Sequence, residues 1–131
     1  MRSLDRLVGT WSLGGDTRGT VTLEWMTGKH FMLQHFDLTL HGHRVIGLEV
    51  IGHLRPYGEE AGADISSRAY DNSGNTLDYL YEVDDTTLTI WAGAQGSPAR
   101  FRGEFSADGR ANSGTWEYEG GGYHSTMTRV D

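Results

Sequence analysis

The chain has 131 residues, no Cys, 37% hydrophobic and 22% charged residues, and a formal net charge of −7. That length fits one domain spanning residues 1–131, and the lack of Cys excludes disulfides and thiol chemistry. The acidic balance argues against a nucleic-acid or anionic-membrane surface, and no window approaches the roughly 20 apolar residues of a membrane helix. No basic n-region followed by an apolar h-region opens the chain, so no signal peptide is expected and a cytoplasmic home is the default. Nineteen Gly scattered between β-rich runs, with only two Pro, suit many tight turns rather than disorder.

Ser3 to Leu7 reads as one helical turn, with Ser3 as its N-cap and Leu4 and Leu7 on one side. A single turn is not stable alone in water, so it must pack on something; the open end of a barrel is the natural place. Gly9 lets the backbone pass close to a neighbour. Trp11 buries a large ring whose N–H needs a partner, and Arg129, near the end of the chain, is placed to stack on its face.

Thr17 to Met26 alternates, with Val21, Leu23 and Trp25 on one face. After a turn at 27–30, Phe31 to Leu40 carries Met32, Gln34, Phe36, Leu38 and Leu40 on its even face. His41 to Arg44 turns the chain into Val45 to His53, where Gly47 and Gly52 permit the bends of a closed barrel. The interruption from Leu54 to Asp64 is the best candidate for a mobile flap or rim loop. Ile65 to Asp71, Thr76 to Val83 and Thr86 to Ala92 follow as short strands. Pro98 to Ser106 puts Phe101 and Phe105 opposite Arg100, Arg102 and Glu104, and Asp108-Gly109 signals a hairpin. Arg110 to Glu119 and Tyr123 to Val130 complete the pattern. About ten strands at roughly 8–12-residue spacing, with no room for a crossover helix, make an all-β antiparallel meander. Closure into an up-and-down barrel is preferred to a sandwich because it removes both exposed edges.

Gly9, Trp11 and Arg129 are also where the chain resembles the calycin superfamily, which includes lipocalins, fatty-acid-binding proteins and nitrobindins. The shared feature is Gly-x-Trp on the first strand with an Arg of the last strand packed over that Trp. The run Gly9 to Gly15 is similar to the Gly-rich opening of the nitrobindins. Tyr70-Asp71-Asn72-Ser73-Gly74 resembles a bacterial family of uncharacterised lipocalin-like barrels. The resemblance implies a barrel that holds a small hydrophobic molecule.

In a barrel of this size, core and cavity wall are one surface, so Trp25, Phe36, Tyr79, Tyr81, Trp91, Phe101 and Trp116 are candidates to line a pocket. Arg68, Arg100 and Arg102 are candidates for an interior cation that grips a carboxylate, as in fatty-acid-binding proteins; Arg100 and Arg102, opposite Phe101, read better as solvated. His35 and Asp37 share a strand face beside Glu49 and form either an acid–base pair or a polar patch. His41 and His43 flank Gly42 in a turn, with no second motif of matching spacing to complete a metal site. His124 is the residue the nitrobindin resemblance would make a haem ligand, although odd spacing sets it on the face opposite Arg129.

No nucleophile motif or phosphate loop appears, so the reading leans away from an enzyme. The leading expectation is a binding module for a small apolar ligand, with no cofactor, no nucleic acid and no membrane partner. Two rivals stand beside it: a nitrobindin-like haem protein using His124, and a solid barrel without ligand that pairs as a homodimer.

Overall fold

The computed structural model describes residues 2–130. A 3-10 helix, Arg2–Leu7, leads into β1 (Gly9–Gly15), β2 (Thr17–Trp25), β3 (Phe31–Leu40), β4 (His43–Gly52) and β5 (Ile65–Asp71). Then follow β6 (Thr76–Val83), β7 (Thr87–Ala92), β8 (Arg100–Phe105), β9 (Ala111–Tyr118) and β10 (Gly121–Arg129). Each strand pairs antiparallel with the next, and β10 returns to β1, so the sheet closes as a ten-stranded barrel with no open edge.

Alternation along the strands decides which side chains enter. On β2, Val21 and Leu23 are buried; on β3, Met32 is buried and Gln34, Phe36, Leu38 and Leu40 follow it inward. Bending a sheet this tightly brings backbones together where no Cβ fits. A Cβ on Gly47 would stand 1.9 Å from the Tyr70 carbonyl oxygen and 2.6 Å from the Phe36 ring. At the start of β1, Gly9 has φ +133°, a conformation that side-chain-bearing residues rarely adopt.

The 3-10 helix closes one end. Leu4 is 0% exposed and Leu7 2%, and both belong to the main core with Trp11, Val21, Leu23 and Met32. Burial of each leucine contributes about 1.5–3 kcal/mol, which outweighs the weak intrinsic stability of so short a helix. Trp11, 0% exposed, donates its indole N–H to the Leu7 carbonyl at 2.9 Å. Arg129 lies directly across the ladder from Trp11, and its guanidinium carbon is 4.2 Å from the indole centroid. The same guanidinium donates to the carbonyls of Val8 and, at 2.6 Å, Arg6. Arg6 in turn stacks over Phe105 at 3.7 Å and donates to the carbonyls of Asp84 and Asp85. One strand end, the helix and the 84–85 hairpin are thereby tied into one cap.

One expected boundary shifts at the end of the chain, and the long connection is placed. The final strand begins at Gly121 rather than Tyr123, because Gly122 pairs with Glu117 and a Cβ there would stand 2.5 Å from the Trp116 carbonyl oxygen. The long connection over 54–64 joins the end of β4 to the start of β5. It therefore lies at the capped end and not over the opposite end of the barrel. No helix among the described residues is long and apolar enough to cross a membrane.

Candidate functional site

Above the cap the side chains do not meet. They leave a cavity of about 390 Å³ that runs from Leu7 to the far ends of the strands. There Leu77, 44% exposed, borders it, so the cavity reaches solvent. Its wall is largely apolar. Phe36 of β3, Leu88 and Ile90 of β7, Phe101 of β8, Trp116 of β9 and Met127 of β10 all face it. Trp116 makes tilted ring contacts with Tyr79 and Phe101, each at 5.8 Å between centroids. Such aromatic pairs hold the wall in one shape.

Two carboxyl residues line the cavity, Asp71 and, more deeply buried, Glu49. Glu49, at an inward position of β4 between Gly47 and Ile51, is 5% exposed. Its Oε2 accepts from the Ser67 hydroxyl at 2.6 Å and the Tyr81 hydroxyl at 2.8 Å. Its Oε1 accepts from the Gln34 amide at 2.5 Å. Three strands thus converge on it: β3 by direct cross-strand pairing of Gln34 with Glu49, β5 through Ser67, and β6 through Tyr81. Burial raises the Glu49 carboxyl above its ordinary range, and the three hydrogen bonds oppose that rise without cancelling it. Burial likewise pushes the Tyr81 hydroxyl well up, and it pushes Tyr79, which also faces the Glu49 charge, up to about 12. Tyr123, nearer the mouth, is raised by burial to about 12.

Of the aromatic candidates, Phe36, Tyr79, Tyr81, Phe101 and Trp116 line the cavity. Trp25 and Trp91 do not. Trp25 has the inward parity of Val21 and Leu23 but lies at the capped end, where its indole donates to Asp5 of the 3-10 helix at 2.8 Å. Trp91 alternates with the inward Leu88 and Ile90, so it faces outward and donates to Glu82 at 2.9 Å. Arg68 is also outside: it alternates with the inward Ser67 and Ala69, and its guanidinium grips Asp78 through two bonds of 2.7 and 3.1 Å. Arg100 stands 3.9 Å from Glu117 on the outer surface, and Arg102 is exposed. No Lys, Arg or His lines the cavity among the described residues. The expectation of an interior cation therefore fails for Arg68, while Arg100 and Arg102 lie outside, as their placement opposite Phe101 suggested.

The histidines also face away. His35 lies 3.3 Å from Glu24 and Asp37 pairs with Arg44, both outside, while Glu49 points inward. The expected His35–Asp37–Glu49 grouping is split by strand parity. His124 is exposed, with its ring 3.3 Å from the Ser113 hydroxyl, so it cannot serve a haem held inside the barrel. With no imidazole or thiolate facing the cavity, the described residues do not fit haem in the manner the nitrobindin resemblance implied. His41 packs edge-on against Tyr123, and no group of three or more His, Cys, Asp or Glu that could hold a metal ion occurs among the described residues.

Glu49, read from the sequence only as a neighbour of His35 and Asp37, was missed as a cavity residue. Its signal was parity: it shares a face with Val45 and Ile51, which are inward. No protein-family model matches the chain, and no curated protein is significantly similar to it.

Proposed function

We propose that the barrel is a binding module for a small, largely apolar molecule, of the calycin type that Gly9, Trp11 and Arg129 resemble. The observation that carries this reading is the cavity of about 390 Å³, apolar in most of its lining and reaching solvent at the uncapped end. A volume near the lower end of ordinary ligand pockets suits a molecule of modest size. The aromatic wall supplies contact area that loses little conformational freedom on binding. The capped end supports the same reading, because Leu4 and Trp11 are fully buried there while the opposite end stays open.

The test is titration with N-phenyl-1-naphthylamine, a neutral apolar fluorophore, read by its brightening and by energy transfer from tryptophan. Saturable one-to-one brightening is expected, with loss in Ala69→Phe, which projects a ring into the cavity from β5. Circular dichroism shows whether that variant remains folded. Absence of brightening, or brightening that survives in folded Ala69→Phe, contradicts the proposal.

A further inference from the structure

Resting on that reading, we infer that the cavity selects an amphipathic cation, an apolar molecule carrying one protonated amine, and that Glu49 is the anchor for the ammonium group.

The inference begins with charge. A barrel that grips a fatty acid needs a cation inside, and among the described residues no Lys, Arg or His lines this cavity. The ionisable lining groups are instead Glu49, Asp71 and the tyrosines 79, 81 and 123. An anionic ligand would find hydroxyl donors such as Tyr79 and Tyr123 but no cation, and ionised Glu49 and Asp71 would repel it.

Geometry singles out Glu49. A carboxylate offers about four acceptor positions. Ser67, Tyr81 and Gln34 fill two on Oε2 and one on Oε1, leaving one on Oε1. Every partner is a neutral donor. The group is therefore oriented and hydrogen-bonded, but its charge is not compensated by any side chain. A buried carboxyl in that state either keeps its proton or meets a cation. Asp71, by contrast, is occupied at the rim. Its two carboxyl oxygens accept from the backbone N–H groups of Ser73 and Asn75 and from the Asn75 amide. Those bonds hold it below its ordinary range.

An ammonium group entering beside Glu49 would supply the missing charge and a donor for the remaining position. The carboxyl proton would leave to solvent as the pair forms, so binding is coupled to proton release. The other titratable groups facing the cavity do not compete for that role between mild acid and neutrality. Asp71 is already ionised there, and the tyrosines Tyr79 and Tyr123 are raised to about 12, with Tyr81 also well up. Affinity for an amine should rise with pH as Glu49 ionises; affinity for a neutral molecule of the same shape should not.

The experiment compares n-octylamine, 1-octanol and octanoate by isothermal titration calorimetry on the intact chain. At about pH 8 octylamine is expected to bind about tenfold tighter than octanol, and octanoate most weakly, as pairing of a buried charge requires. Glu49→Gln is expected to bring octylamine to the level of octanol while octanol itself changes little. Lowering the pH should weaken octylamine but not octanol, because it protonates Glu49. Octanoate binding as tightly as octylamine overturns the inference and leaves the binding module standing, as does octylamine affinity that survives Glu49→Gln. If none of the three binds, the binding module itself falls. Should Glu49→Gln not fold, the ranking of the three probes on the unaltered protein still decides.

Discussion

The two halves of the barrel are built from the same ten strands and solve opposite problems. At the capped end, Leu4, Leu7 and Trp11 are sealed beneath Arg129, and the helix carbonyls are consumed by guanidinium and indole donors. At the other end, Leu77 is exposed, and the rings of Tyr79 and Trp116 stand around space. Closing a sheet fixes the wall but not the filling. Here the filling at one end is supplied by a segment outside the sheet, which frees the other end to remain hollow. Packing and cavity are weighted toward opposite ends of the barrel axis.

That separation can be broken from the bottom first. Trp11→Ala removes the centre of the cap and is expected to cost about 3–5 kcal/mol, as for other buried aromatics. Chemical denaturation checks it; a loss below about 1 kcal/mol would mean that the cap is not what holds the barrel shut. Arg129→Met keeps the apolar stem but removes the donors to Val8 and Arg6. A loss of about 1–3 kcal/mol is expected in the same assay, in the range for hydrogen bonds from a charged group.

Glu49→Gln sharpens the comparison through pH. The folded-state Glu49 value is raised, so the unfolded chain loses this proton at lower pH than the folded one. Wild-type stability relative to the variant is therefore greatest below about pH 4, the range of an unperturbed Glu, and falls as pH rises toward the folded value. Asp37 and Asp78, held below their ordinary range by Arg44 and Arg68, act with the opposite sign. They are common to both proteins and cancel in the difference. Denaturation midpoints of the two proteins across pH check the sign; a wild type that gains on the variant as pH rises would contradict it.

In the upper half, Leu38→Ala enlarges an existing cavity rather than opening a new one. About 1 kcal/mol is expected, below the large-to-small series for fully buried sites because Leu38 is only half-buried, together with weakened binding of the fluorophore. The smallest effect belongs to Arg68→Ala on the outer surface. Its exposed pair with Asp78 predicts no resolvable change in Tm, and fluorophore binding should be untouched.

The barrel was legible because alternation and turn residues are local signals. Val21 and Leu23, or Phe101 and Phe105 against Arg100 and Arg102, declare their faces within one strand. The carboxyl site was not legible in the same way. Gln34, Ser67 and Tyr81 come from three strands and meet Glu49 only through the registers Gln34↔Glu49, Glu49↔Ala69 and Ser67↔Tyr79. A single Glu in an alternating run reads as a solvated position until its neighbours are known. Trp25 shows a second limit: parity fixes the face, but depth along the axis decides between cap and cavity. Trp91 and Arg68 show the simpler case, where parity with Ile90 and Ala69 already pointed outward.

The most direct measurement is a methyl NMR titration of the protein with 1-octanol. A capped, packed end and a hollow upper half give saturable shifts at Leu38, Leu40, Val45, Leu77 and Ile90, with Leu4 unmoved. Shifts that do not saturate, or that appear equally at Leu4 and the outward Leu80, would contradict a cavity that ends at Leu7 and opens at the uncapped end.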